Sequence, residues 1–309
     1  MGRRITVWRL RDGKAGHERQ TAGLVQALGR LRATDVHDVP VTAFRHPVWH
    51  WLTGRCPAGA DLPAPDLILG AGRACEFPLL AARRARGGRA VYLMRPRLPC
   101  SAFDLCFVPR HDGPSAGPHC EPTAGVLNDV EPATGSRSTT TLVLVGGPSR
   151  HHAWDEDAIL KQLGSLVFGS RERDLLITDS RRTPESTRRA LASFVRPGVR
   201  YVPFADTGPE WLRAQLAAVR AAWVTADSAS MIFEALTAGI PVGVIAVAAK
   251  RDDRISRLAP ALAAEGRVTT LEGWLASGRL EPVGAPLAEA ARAAALVVAR
   301  WFSDYDAAP

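Results

Sequence analysis

Short apolar runs recur along this chain at intervals that fit strands alternating with helices. In the first half Ile5–Leu10, Val36–Val41, Asp66–Gly70, Ala90–Met94 and Leu105–Val108 read as strands. In the second half Thr141–Val145, Asp174–Thr178, Val199–Phe204, Ala222–Thr225 and Pro241–Val247 read the same way. Helical patterns lie between them, one with Leu24, Val25 and Leu28 on a single face. Such alternation is the signature of parallel sheets covered by helices, so the expected class is α/β with two Rossmann-like domains.

The stretch Glu131-Pro132-Ala133-Thr134-Gly135-Ser136-Arg137-Ser138 is polar and contains a helix breaker, which predicts the interdomain linker. The first domain is then expected over residues 1–135 and the second over 139–285. Beyond them, Pro286 to Phe302 carries apolar residues at Leu287, Ala291, Ala294, Val298 and Trp301, the period of one buried helical stripe opened by a proline. A C-terminal helix and tail over 286–309, with the helix crossing back to the first domain, is the expectation.

The length of 309 residues and an apolar fraction of 46% suit two domains with cores of their own. No apolar run reaches the roughly 18 to 20 residues of a membrane span, and Met1–Val7 enters a strand without a signal-peptide core, so a cytoplasmic location is expected. Five cysteines, Cys56, Cys75, Cys100, Cys106 and Cys120, are odd in number and never spaced Cys-x-x-Cys. They read as reduced thiols, with neither a disulfide framework nor a metal site signalled. The formal net charge of +8, carried mostly by arginine, favours anionic partners such as nucleotides, phosphorylated lipids or an anionic membrane surface. Nucleic acid is not expected, because zinc-finger spacing, an RNP motif and a dense basic run are all missing from the sequence.

Candidate chemistry concentrates where predicted strands run into polar loops. After Val224 come Thr225, Asp227, Ser228 and Ser230, residues that can cap a helix while its backbone N–H groups face an anion. Glu234 follows about one and a half turns later, where a carboxylate can accept hydrogen bonds from a ribose. A well-capped helix with Glu234 in solvent is the plainer alternative. Gly146-Gly147-Pro148-Ser149-Arg150 forms a glycine turn in which Gly147 and Ser149 can donate to a diphosphate and Arg150 can balance its charge. It lacks the Lys-Ser/Thr pair of a P-loop. His151 and His152, being adjacent, are poorly placed to share a metal and suit a surface role. The loop Asp179-Ser180-Arg181-Arg182-Thr183 brings two arginines to another strand end, before a helix start at Pro184 and Glu185. Phe204, at the end of a further strand, suits either recognition of a base or core packing.

In the first half, Asp12-Gly13-Lys14-Ala15-Gly16-His17 leads into a helix. His17 is a candidate base for an acceptor hydroxyl, with Asp12 orienting it or serving in its place; the alternative is that both merely cap and pack. Arg73 and Arg95 stand at two more strand ends and offer cationic groups to a negatively charged acceptor. The loop-like segment Phe44–Leu52 holds Trp49 and Trp51 among Arg and His, which suits a membrane interface or a lipid-linked acceptor, or else ordinary packing.

Taken together, Asp12-Gly13-Lys14-x-Gly16-His17-x-x-Gln20, Gly146-Gly147-Pro148-Ser149-Arg150, Thr178-Asp179-Ser180-Arg181-Arg182-Thr183-Pro184 and Val224-Thr225-Ala226-Asp227-Ser228-x-Ser230-Met231 resemble the mitochondrial-fission ELM family over nearly the whole chain. Bacterial members look like glycosyltransferases of the GT-B fold, formerly labelled nucleoside-diphosphate-sugar epimerases, and the plant founder is associated with recruiting a fission dynamin. The resemblance implies two domains facing across a cleft, and it carries Thr183, Asp227 and Met231 to the donor side and Lys14, Gly16 and Gln20 to the acceptor side. The second domain is also similar to the N-acetylglucosaminyltransferase of peptidoglycan lipid II synthesis. That similarity implies a UDP-linked donor, matches Glu234 to the ribose-binding carboxylate and matches His17 to the histidine of the first glycine loop.

The expected function is therefore a metal-independent glycosyltransferase that uses a nucleotide-sugar as substrate, with no further cofactor. Its acceptor would be an envelope glycolipid, lipid-linked or of lipopolysaccharide type, met at the inner face of the cytoplasmic membrane. A nucleotide-sugar epimerase of the same fold and a membrane-associated adaptor without turnover are the alternatives.

Overall fold

The computed structural model describes residues 3–132, 135–169, 174–280 and 284–303; Ala133 and Thr134 of the expected linker, and the tail 304–309, lie outside them. In chain order the first elements are β1 (Ile5–Arg11), α1 (Ala15–Leu31), β2 (Thr34–Pro40), α2 (Pro47–Thr53), β3 (Leu67–Ala71), α3 (Glu76–Arg86), β4 (Arg89–Leu93), β5 (Leu105–Pro109) and β6 (Cys120–Thr123). There follow β7 (Thr141–Leu144), α4 (Glu156–Gly169), β8 (Leu175–Thr178), α5 (Glu185–Ala192), β9 (Val199–Val202), α6 (Trp211–Ala218), β10 (Ala221–Thr225), α7 (Ala229–Thr237) and β11 (Val242–Ile245). The chain closes with α8 (Leu258–Ala264), β12 (Thr269–Thr270), α9 (Leu271–Ser277) and α10 (Glu289–Trp301). Contacts divide it into two compact units, Met1–Asp129 with Ala288–Pro309, and Val130–Leu287.

Each unit holds one six-stranded sheet, ordered β2-β1-β3-β4-β5-β6 in the first and β12-β11-β10-β7-β8-β9 in the second. All the strand pairings are parallel. The fold is α/β with two Rossmann-like domains, as the alternation of runs and helical patterns predicts. The period of two is visible in the first core. Ile5, Val7, Leu67, Leu69, Val91, Leu93, Leu105 and Phe107 face α1 and α10, while Trp8, Leu10, Ile68, Tyr92, Cys106 and Val108 face the opposite side with Leu79, Leu80 and Ala82 of α3. A sheet buried on both faces needs apolar residues at nearly every position, which is why these strands read as continuous runs. Each fully buried Leu, Ile, Val or Phe contributes about 1.5–3 kcal/mol.

Two strands have no counterpart among the runs read from the sequence. β6, Cys-Glu-Pro-Thr, is an edge strand paired to β5 alone, where its Pro122 is tolerated, and β12 has only two residues, both Thr. Neither is long enough to show a period. The segment read as loop-like between Phe44 and Leu52 contains α2, opened by Pro47 in the first turn. Its Trp51 packs on Phe77 with ring centroids 5.9 Å apart, whereas Trp49 stays exposed. In the expected linker, Arg137 donates to the Ala238 carbonyl at 3.0 Å and the Ser138 N–H to the Ala218 carbonyl at 2.8 Å, so these residues are held on the second unit. All five cysteines are free thiols. No helix among the described residues is long and apolar enough to cross a membrane.

The C-terminal helix returns to the first unit, but its start differs from the expected one. It starts at Glu289, not at Pro286, and the Leu287 N–H before it donates to the Leu236 carbonyl of the second unit. Ala294 of the expected stripe is buried, Val298 and Trp301 pack against the same core, and Ala293, Val297 and Phe302 join them, while Ala291 is exposed. Small residues at 293 and 294 let α10 lie close on α1. Replacing Val297 by Asp buries an uncompensated carboxylate there and lowers unfolding free energy by about 3 kcal/mol or more. Ala291→Asp, by contrast, changes it by less than about 0.5 kcal/mol. Urea denaturation of the two variants separates the observed stripe from the one the sequence suggests.

Candidate functional site

In a parallel sheet a crevice opens at the carboxyl edge where successive crossovers change direction, because the two flanking loops leave toward opposite faces. In the first unit the change falls between β1 and β3, and in the second between β7 and β10. Most of the residues singled out from the sequence stand on the loops at these two places.

At the β1 end, Asp12 and His17 come together. His17 Nδ1 lies 2.7 Å from Asp12 Oδ2; the carboxylate is buried and the imidazole is 21% exposed. The other carboxylate oxygen accepts the Lys14 N–H at 3.1 Å, so Asp12 both shapes the turn and holds the ring. Gly13, at φ +78°, donates its N–H to Glu18 Oε1 at 3.1 Å. The ring rests directly on Gly72 of the β3 loop: a Cβ there would stand 2.2 Å from Nδ1 and Cε1. With Nδ1–H directed at Asp12, Nε2 presents the lone pair, the arrangement of a general base with its orienting carboxylate. Lys14 Nζ is 3.9 Å from Asp12, Gly16 lies in the first turn of α1, and Gln20 is buried one turn on. Arg73 is exposed beside Gly72 without an ion pair, and Arg95 donates to the Asp112 carbonyl at 2.9 Å. Cys75, also near, is no nucleophile at neutral pH, since burial, with the Asp12 charge second, pushes its thiol up to about 12.

In the second unit three loops are tied at one carboxylate. The Asp227 side chain is fully buried; its Oδ2 accepts the Gly147 N–H at 3.1 Å and the Arg182 guanidinium at 2.6 Å. Arg182 also donates to the carbonyls of Gly147 at 2.7 Å and Pro148 at 3.1 Å. Thr225 Oγ1 accepts the Gly146 N–H at 2.8 Å. Neither glycine leaves room for a side chain: a Cβ on Gly146 would meet Asp227 Oδ2 at 2.3 Å, and one on Gly147 the Arg182 carbonyl at 2.2 Å. Ser180 and Thr183 are buried and bond each other, 3.2 Å between hydroxyls, while Thr183 also donates to the Gly146 carbonyl. Asp179 accepts Arg188 Nε at 2.6 Å and the Phe204 N–H, fixing the β8 and β9 loops to each other.

Ser228 does occupy the N-cap position of α7, yet neither it nor its neighbours caps the helix as expected. Asp227 is turned to Arg182 and Thr225 to Gly146, so the polar side chains serve the neighbouring loops instead. The N–H groups of Ala229, Ser230 and Met231 consequently have no acceptor among the described residues, and the first that does is Ile232, on the Ser228 carbonyl at 3.2 Å. An uncapped nine-residue helix presents about half a unit of positive charge at that end. Arg150 and Arg181, on the β7 and β8 loops, are exposed and engage no carboxylate among the described residues. Glu234 is 3% exposed, which removes the solvent-facing alternative. Phe204 is exposed, outside the core.

The histidine pair also departs from expectation. His152 is buried, and burial holds its imidazole below the ordinary value and therefore neutral at pH 7. Ser149 Oγ accepts the N–H groups of both histidines, at 3.2 and 2.9 Å, within a tight turn. His151 Nδ1 lies 2.7 Å from Asp253 Oδ2, and the Lys250 N–H donates to the His151 carbonyl at 2.8 Å, so the loop after β11 is laid along 149–153. The His151 hydrogen bond is the main cause that brings the Asp253 carboxyl down to about 2. Gly72 and Asp253 carry much of this geometry and were not picked out from the sequence, and the parts that Asp179 and Thr225 play in tying the loops together were not read from it either. Asp179 and Thr225 did leave a signal, as polar residues closing an apolar strand.

Two Rossmann-like domains, each with its loops gathered at a sheet's reversal point, define a protein of GT-B-like fold. The sequence matches the family described as Mitochondrial fission ELM1 over residues 15–301, and the chain belongs to it. A sequence search of curated proteins finds no match. Among solved structures, the chain is similar to a Listeria monocytogenes protein assigned as a UDP-N-acetylglucosamine 2-epimerase (TM-score 0.62, 12% identity, 99% of this chain and 98% of that one). It is also similar to the Neisseria meningitidis UDP-GlcNAc 2-epimerase bound to UDP-GlcNAc (0.56, 11%, 97% and 100%). MurG of Acinetobacter baumannii aligns equally well (0.56, 13%, 97% and 99%).

The two arginines of the β8 loop separate by role. Arg182→Ala strands a buried carboxylate and lowers unfolding free energy by roughly 1–3 kcal/mol, the partial exposure of the arginine moderating the loss. Arg181→Ala stays within about 0.5 kcal/mol of the parent in the same urea titration. The Asp253 contact has its own pH signature. Its folded carboxyl is depressed, so the stabilisation is complete above the unfolded value of 3.8 and is lost as pH falls toward about 2. Carboxyl-carbon NMR titration reads that midpoint directly, and His151→Ala moves it up toward the ordinary range.

Proposed function

We propose that this protein is a metal-independent glycosyltransferase that moves a sugar from a nucleotide-sugar donor to a hydroxyl of an envelope glycolipid or related anionic acceptor. The observation that carries this reading is the uncapped start of α7, with three N–H groups lacking acceptors, beside the unpaired Arg150 and Arg181. Backbone donors and free guanidinium groups on converging loops suit a diphosphate. The likeness to the Neisseria meningitidis UDP-GlcNAc 2-epimerase bound to UDP-GlcNAc supports a UDP-linked donor.

In this reading the diphosphate rests at the α7 start. As the bond from the anomeric carbon to the leaving diphosphate breaks, charge accumulates on its oxygens, and Arg150, Arg181 and the helix end stabilise it in place of a metal ion. His17 Nε2 takes the proton of the acceptor hydroxyl while the new carbon–oxygen bond forms, and Asp12 stabilises the imidazolium. Arg73 and Arg95 supply positive charge to an anionic acceptor. Arg182 is a clamp for Asp227 rather than a donor ligand, and Glu234, buried on α7, is the carboxylate that accepts the ribose hydroxyls in this reading.

An epimerase of the same fold is the second reading, favoured by the likeness to two UDP-GlcNAc 2-epimerases; it turns over its nucleotide-sugar without a second substrate. Calorimetry with uridine, guanosine, adenosine and cytidine nucleotides and their sugars tests both readings at the shared donor site. One nucleotide-sugar binds, the Arg150→Ala/Arg181→Ala double variant loses about tenfold or more in affinity, and His17→Ala retains it. Incubation of the bound donor alone then leaves it intact for a transferase and converts it for an epimerase. Absence of binding across the panel overturns both and leaves the adaptor.

A further inference from the structure

The helix α2 presents Val48, Trp49 and Leu52 to solvent, at 44%, 65% and 57% exposure, on a face one turn long. Its other side is anchored, with Trp51 against Phe77 of α3. Positions i, i+1 and i+4 share one side of a helix, so the three apolar side chains form a single ridge. Around it stand Arg45 before the helix, Arg55 after it and Arg84 of α3, whose guanidinium would be 3.4 Å from a Cβ on Gly54. All three arginines are exposed and make no ion pair or hydrogen bond among the described residues. From residue 39 to residue 60 the sequence contains no Asp or Glu.

We propose that α2 docks the first unit on an anionic phospholipid surface, with Trp49 and Leu52 entering the boundary between headgroups and acyl chains and Arg45, Arg55 and Arg84 pairing with lipid phosphates. The features of the patch favour a bilayer over a protein. One face of a seven-residue helix, about 10 Å long and about 10 Å wide, covers on the order of 100 Å², well short of the roughly 800 Å² per partner that a stable protein interface buries. Insertion of a short apolar ridge ringed by arginines instead gains from both apolar burial and the negative surface potential. Tryptophan suits that boundary because its ring is apolar with one polar N–H. The proposal is independent of the donor reading above, since it requires no nucleotide and no turnover.

Vesicle co-sedimentation of the full chain tests it. The protein sediments with vesicles of about 30% anionic phospholipid at low salt, does not with neutral phosphatidylcholine vesicles, and is released as salt rises. Trp49→Ser/Leu52→Ser lowers the partition coefficient by about tenfold or more, and each of Arg45→Gln, Arg55→Gln and Arg84→Gln by about fivefold. All these changes are at exposed positions, and a circular-dichroism melt coincident with that of the parent establishes that each variant is folded. Equal sedimentation of parent and variants overturns the proposal, as does failure of the parent to bind anionic vesicles. A concentration-dependent dimer in light scattering that disappears in Trp49→Ser/Leu52→Ser also overturns it, by giving the ridge a second copy of this chain as its occupant. Nucleotide calorimetry on the same variants keeps the two readings apart, because loss of vesicle binding with donor binding intact bears on α2 alone.

Discussion

A carboxylate with no access to water has to be compensated where it stands, and Asp227 imposes that requirement on the whole carboxyl edge of the second sheet. Its compensation comes from Arg182 on one loop and the Gly147 N–H on another, so three chain segments distant in sequence are brought to one point. Asp227 is turned to that task, Ser228 at the N-cap position makes no side-chain cap, and the N–H groups at the start of α7 remain available. Gly146 and Gly147 follow from the same constraint, since the carboxylate and the Arg182 backbone occupy the space their side chains would need. The structural clamp and the anion-attracting helix end thus meet at one buried charge.

The first unit solves a parallel problem by different means. There the loop after β1 reaches across to the loop after β3 through the His17 ring lying on bare Gly72 backbone, with Asp12 holding the ring from behind. No buried ion pair spans these loops; a flat ring on a glycine does. The imidazole is consequently rigid on one edge and open on the other, which is what proton transfer to or from a bound hydroxyl asks of it.

The architecture was legible because strands buried on both faces leave uninterrupted apolar runs, as in β3, β4, β5, β7, β8, β10 and β11, while the edge strands β2 and β9 showed only scattered apolar positions. β6 and β12 were not read as strands, since their pairing rests on backbone hydrogen bonds and their residues are few and polar. The loops that matter were legible as glycine or polar clusters at strand ends, but the division of labour within them was not. Nothing in Arg181-Arg182 distinguishes a free cation from a clamp until Asp227 is found beside the second. His151-His152 likewise reads as one surface dipeptide, whereas one ring is buried and the other pairs with Asp253, a hundred residues away in sequence. Burial and long-range partners are properties of the fold, and composition at a site does not encode them. The α10 stripe was read correctly at Ala294, Val298 and Trp301 but too early at its start, since Leu287 precedes the helix and Ala291 faces solvent.

The placement of α10 has a consequence for how the molecule is made. The second unit is encoded between residues 130 and 287 as an uninterrupted stretch, while the first is closed by a helix that begins at Glu289. During synthesis from the N-terminus, the side of the first unit that α10 covers waits without it until residues 289–301 have left the ribosome. The later-encoded unit is therefore complete before the earlier one, and the first unit spends most of its synthesis with an apolar face exposed to chaperones and to other nascent chains.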